Sequence, residues 1–164
     1  DVALATASYP SDYRIFTWAG GAMTLGGVSQ EITDIKVGAN LGLDVDRRFI
    51  RNNPLKKEPT ETGRRAYTWS ATTDHSSLTN YDYFRSEVAT GTVAALVATF
   101  NGPIAHGGST LPSVVVTIPV ARVDAVEFDI SGPAGLVDVM SGVALDNLAD
   151  SPVSIAYTTT DATP

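Results

Sequence analysis

The sequence predicts a mainly β fold, an antiparallel β-sandwich or open barrel with one short flanking α-helix and one long inter-strand loop. Val, Ile and Thr number 44, twice the 22 of Leu, Met, Gln, Glu and Lys together, and β-branched side chains favour pleated surfaces over helices. Fourteen Gly and nine Pro punctuate the chain into short apolar runs, the texture of many strands joined by tight turns. Only one segment carries a convincing helical pattern. With 164 residues, 43% hydrophobic and 18% charged, the chain is too apolar for a disordered tail and suits one domain over 12–164.

Residues 1–11 are small and polar and read as a loose arm. The apolar run 13–19 ends at Gly20-Gly21, and Met23, Thr24 and Leu25 precede Gly26-Gly27. Such runs between double glycines predict a hairpin. Across 28–38, Ile32, Ile35 and Val37 fit a strand whose phase slips near Thr33-Asp34, the mark of a bulge. Residues 45–50 could continue the sheet, whereas 51–63, with Pro54, Pro59 and little apolar content, predict a long loop. Over 65–73, Tyr67, Trp69 and Ala71 alternate with Thr68, Ser70 and Thr72, which predicts a half-buried strand.

The helix is expected at 80–88, capped by Thr79 or Asn80, with Asp82 in its first turn and Gly91 as its stop. Residues 93–100 are apolar on both faces and predict a central strand covered on each side. After a glycine-rich loop at 101–110 come strands at 113–118 and 120–130. Residues 136–145 fit strand or helix equally. A last strand at 153–160 turns Val153, Ile155 and Tyr157 inward.

The chemistry-bearing residues are sparse. Zero Cys removes a disulfide scaffold, thiolate metal sites and cysteine nucleophiles. Asp74-His75-Ser76-Ser77 contains an acid, a base and a nucleophile, but triad members must converge in space and sequence neighbours rarely do. His75 and His106 therefore read as loop-surface histidines. Asp44-Val45-Asp46 lacks the glycine and distal glutamate of a calcium loop. The aromatics Trp18, Trp69, Tyr81, Tyr83 and Phe84 suit a core better than a sugar-binding platform. No catalytic residue, metal site or cofactor is expected, and no apolar run reaches the ~20 residues of a membrane-spanning helix.

Charge is the feature that stands out. Seven of the eleven basic residues, Arg47, Arg48, Arg51, Lys56, Lys57, Arg64 and Arg65, fall within 47–65, while 123–164 carries seven acids and no base. One basic loop thus projects from an acidic body, and the whole chain has a charge of −7, which argues against general nucleic-acid binding. The loop could touch nucleic acid, although no aromatic is interleaved for stacking. It could be an ordinary solvated loop. Or it could dock on the acidic face of another copy, a head-to-tail contact that closes rings or propagates filaments. Glu127, Asp129, Asp138 and Asp146 are candidates for that acidic face or for the wall of a lumen.

The order of segments resembles long-tailed bacteriophage tail tube proteins. The resemblance rests on 32–43 (ITDIKVGANLGL), the basic loop, 59–63 (PTETG), the strand at 67–73, 113–126 (SVVVTIPVARVDAV), 132–135 and 155–161 (IAYTTTD). It spans most of 28–161. It implies a structural, non-enzymatic virion protein whose subunits form hexameric rings that stack into a hollow tube. Inner sheets would join edge to edge, and the basic loop would reach a neighbouring subunit or ring. The tube of that family holds a tape-measure protein during assembly in the host cytoplasm and conducts DNA during infection. An acidic wall would let DNA pass without sticking. Other readings are a capsid decoration protein or tail terminator and, from a different class, a carbohydrate-binding or adhesin module.

Overall fold

The computed structural model describes residues 16–44, 46, 55–75, 78–102, 111–129 and 135–158, with main chain alone at 18, 87–89 and 129. The expected arm at 1–11, Arg47, Arg48, Arg51, Ser76, Ser77, His106 and most of the glycine-rich loop lie outside these residues. After a 3-10 turn at Trp18–Gly20 come β1 (Gly21–Leu25), β2 (Val28–Gln30), β3 (Ile32–Asn40), β4 (Leu43–Asp44), β5 (Thr60–Glu61) and β6 (Ala66–Asp74). The helix α1 (Thr79–Thr90) follows, then β7 (Ala94–Asn101), β8 (Ser113–Asp129), β9 (Val137–Ala144) and β10 (Ser154–Thr158).

Eight strands form one antiparallel sheet in the order β2-β1-β7-β8-β9-β6-β3, with β10 also paired to β8, while β4 and β5 form a separate ladder. The end strands β2 and β3 are separated in the chain by Glu31 alone, so the sheet must curl until its two ends meet. The Glu31 carbonyl accepts a 3.1 Å hydrogen bond from Asp74 N on β6. The result is a β-sandwich flanked by α1: one leaf is β2-β1-β7-β8-β10, the other β8-β9-β6-β3.

The 17-residue strand β8 serves both leaves. Its first part pairs with β10 through Thr117, and its second part pairs with β9 from Ala121 onward. Pro119 sits between these two partners. That position explains why the proline, read as a break in the sequence, does not end the strand: it has no N–H to donate, and none is required where one partner stops before the next begins.

Register sets the core. Met23, Ala98, Val116 and Ile155 form one cross-strand row, and Leu25, Leu96 and Ile118 another. On the facing leaf run Ile35-Ala71-Met140-Val126 and Val37-Trp69-Gly142-Val123. Met23, Leu25, Leu96, Ala98, Ile118, Met140 and Trp69 are buried, and Tyr83 and Phe84 of α1 pack against them. Gly142 stands directly across from Trp69; a Cβ there would lie 3.0 Å from the indole Nε1 and closer still to the Arg122 carbonyl, so only glycine leaves room for the ring.

Several expectations match: the alternating strand β6, the helix and the register shift between Ile32 and Asp34. Others are corrected. The hairpin turns at Gly26-Gly27 and joins β1 to β2, while 18–20 form a 3-10 turn. Strand β7 is central, but buried on one face only: Ala94, Leu96 and Ala98 are buried whereas Ala95 is exposed. Residues 137–144 are a strand. Ile155 and Tyr157 belong to core-facing rows, yet both are largely exposed, because the second leaf does not extend over β10.

Candidate functional site

The described part of the basic segment forms a neck that joins its two ends. Gly42 adopts φ 60°, and its carbonyl accepts bonds from Thr62 N (2.8 Å) and Gly63 N (3.1 Å). A Cβ at Gly42 would come within 2.5 Å of the Gly63 carbonyl oxygen, so backbone sign and close approach both require glycine. Beyond this neck, Leu43 pairs with Glu61 and Asp44 with Thr60. Lys56 reaches Asp46 at 2.7 Å, and Arg65 is paired with Glu61. The Glu61 carboxylate raises the Arg65 guanidinium further above its usual value. These are exposed contacts and hold little stability of their own. Lys57 and Arg64 are exposed on the same arm.

The arm also displays apolar surface that charge counting missed. Leu41 and Leu43 at its base are exposed, and Leu55 is 72% exposed. The described part of the arm thus carries exposed leucines beside its cations.

The proposed acidic face divides. Glu127 and Asp146 are exposed, and the side chain of Asp129 lies outside the described residues. Asp138 is a correction. It is fully buried, in the inner row between Thr73 and Phe128, and so cannot belong to a docking face or a lumen wall. Its Oδ1 is 2.7 Å from His75 Nδ1, and its Oδ2 accepts from Asn80 Nδ2 at 3.1 Å. Asn80 also donates to Thr73 Oγ1 at 3.2 Å. His75 is therefore no loop-surface histidine: it stacks edge-on against Phe128 and helps satisfy a buried carboxylate. The cluster fastens the start of α1 to β6 and β9. Strand β9 hid this from the sequence, because Val137, Val139 and Val143 point outward while Asp138, Met140 and Gly142 point inward, the reverse of a hydrophobic-in pattern.

The remaining uncovered feature is the free edge of the first leaf. Among the described residues β10 pairs with β8 alone, with Ile155 68% and Tyr157 63% exposed. An edge strand without proline or charge over 154–158 is a template for further strand pairing. At the opposite edge β2 covers Met23, Thr24 and Leu25 but not Gly21 and Ala22. A groove of about 530 Å³ opens there, lined in part by Ala22, Gln30, Ile32 and Phe100.

No protein-family model matches the chain, and no curated protein matches it in sequence. Solved structures do match in fold. The cap of the anti-feeding prophage, a tube-terminating cap, aligns with a TM-score of 0.57 at 12% identity, over 94% of this chain and 99% of that one. A chain of the virion of a native gene transfer agent particle aligns at 0.52 and 11% identity, over 87% and 98%. The SPP1 tail tube aligns at 0.48 and 6% identity, over 79% and 75%. The chain thus shares the fold of the tube-terminating prophage cap and of the gene transfer agent virion chain, in line with its resemblance to the tail tube family.

Proposed function

We propose that this chain is a structural subunit of a phage-type tail, self-assembling edge to edge into rings that stack as a tube. The uncovered β10 edge is the observation that carries this reading. In the first leaf β1, β7, β8 and β10 alternate in direction. Four is an even number, so rotation about an axis along the strands brings β10 of one copy antiparallel to β1 of the next. The segment Gly21-Ala22, left open by β2, is where that pairing has room. Repetition gives β10 a second neighbour along the open part of β1 and covers part of Ile155 and Tyr157.

The family resemblance supplies the number six, the tape-measure partner and DNA passage, and the virion tail as the protein's place after assembly in the host cytoplasm. The basic arm, with Arg47, Arg48, Arg51, Lys56, Lys57, Arg64 and Arg65, reaches the acidic surface of a neighbour and drives stacking. Exposed acids such as Glu127 and Asp146 keep the assembly from adsorbing DNA. The role is non-enzymatic.

One observation favours a second reading within the same class. The match to the prophage cap spans nearly all of that chain, and a cap would form one ring without stacking. Negative-stain microscopy and sedimentation of the purified chain at graded salt separate the readings. Tubes that shorten as salt rises support the tube subunit, isolated rings support the cap, and a monomer at every ionic strength overturns both.

A further inference from the structure

We propose that Leu148 is an anchor that locks one copy to the next by seating in the groove beside β1. The proposal rests on the edge-to-edge reading above and adds the side chain that fixes the contact. Leu148 is 94% exposed, and among the described residues it is the one non-glycine with positive φ, at 63°. Both conditions are unfavourable in an isolated chain.

The surrounding loop nevertheless holds it firmly. Asp146 Oδ1 accepts from Leu148 N at 2.7 Å, and Asn147 Oδ1 accepts from Ala149 N at 3.0 Å and Asp150 N at 2.8 Å. Asn147 Nδ2 donates to Asp150 Oδ2 at 3.1 Å. An apolar side chain held at a rigid tip is preorganised for burial in a partner.

Its position selects the partner. Strands β9 and β10 run collinearly along the same side of β8, and 145–153 is the excursion between them, tied back by Leu145 N to the Val120 carbonyl at 2.8 Å. The excursion therefore leaves the sheet on the side where β10 is free, immediately before Ser154. When β10 pairs along Gly21-Ala22 of a second copy, the residues just before β10 come to the end of that copy's β2. There lies the groove with Ala22, Ile32 and Phe100 in its lining. Glu31 lines it and no Lys or Arg does, so Asp146 and Asp150 stay at the rim in water, where salt screens their repulsion from Glu31. The Leu148 contact is then apolar and is favoured by salt, unlike the contact of the basic arm.

Two variants test this. Leu148→Gly suits the positive φ, so its melting temperature stays at or above that of the parent, while the concentration needed for assembly rises at least about tenfold at both low and high salt. Because the chain has no cysteine, Leu148→Cys protein mixed with Ala22→Cys protein should form a disulfide-linked pair on oxidation. The same Leu148→Cys protein mixed with Lys36→Cys, on the exposed face of β3, should not. If the parent and Leu148→Gly assemble at equal concentration, or crosslinking to position 22 is no faster than to position 36, the anchor is overturned and edge-to-edge assembly stands. If the parent itself never assembles, the assembly reading falls and the anchor with it.

Discussion

Strands β6 and β10 look alike in sequence and end in opposite circumstances. Both mix aromatic, alanine and threonine residues in alternation, AYTWSATTD against SIAYT, and both turn their apolar side chains toward the same interior. Strand β6 lies between β3 and β9, and its Trp69, Ala71 and Thr73 are buried. Strand β10 has one neighbour among the described residues and leaves all five of its residues exposed. Alternation therefore reports which way a side chain points, whereas burial requires a second layer that the alternation does not encode. For β6 the chain supplies that layer itself; for β10 the proposed neighbouring copy would supply it.

The contrast can be broken from its strongest side first. Trp69→Ala empties the centre of the second leaf and should lower unfolding free energy by about 3–5 kcal/mol, read by urea denaturation. Asn80→Ala leaves Asp138 and Thr73 short of a donor in a buried setting, for an expected loss of about 1–3 kcal/mol, read as a lower melting temperature. Ile155→Ser with Tyr157→Ser should shift the stability of the isolated chain by no more than about 0.5 kcal/mol each yet abolish ring formation by sedimentation. If that pair destabilises the monomer as Trp69→Ala does, β10 is core and the contrast is void. Smallest is Lys56→Glu with Arg65→Glu, which should leave melting unchanged and weaken stacking only at low salt, where the Debye length is long; light scattering across a salt series reads it.

Much of this was legible because local patterns were honest reporters of local structure. The period-2 alternation at 67–73, the phase slip at Thr33-Asp34 and the Gly91 stop each describe the chain over a few residues. The misreadings arose where the deciding partner was distant in sequence. Pro119 is tolerated because two other strands, β9 and β10, divide β8 between them. Asp138 is inside because His75 and Asn80 come from 58 or more residues away. The cationic arm was evident from composition, but its exposed Leu41, Leu43 and Leu55 were not, since a leucine near charges carries no mark of being uncovered. Leu148 was equally silent: only backbone geometry distinguishes it from any loop leucine.

The order of the strands along the chain has a bearing on how such a molecule is made. Among the described residues β10 is the last strand in chain order, and its one partner β8 precedes it by β9 and the excursion 145–153. During translation β10 thus emerges after the other described strands. Pairings such as β1 with β7, far apart in sequence, form slowly and are exposed to aggregation meanwhile. Placing the edge proposed for assembly after the other described strands gives nascent polypeptides time to close before they can capture one another.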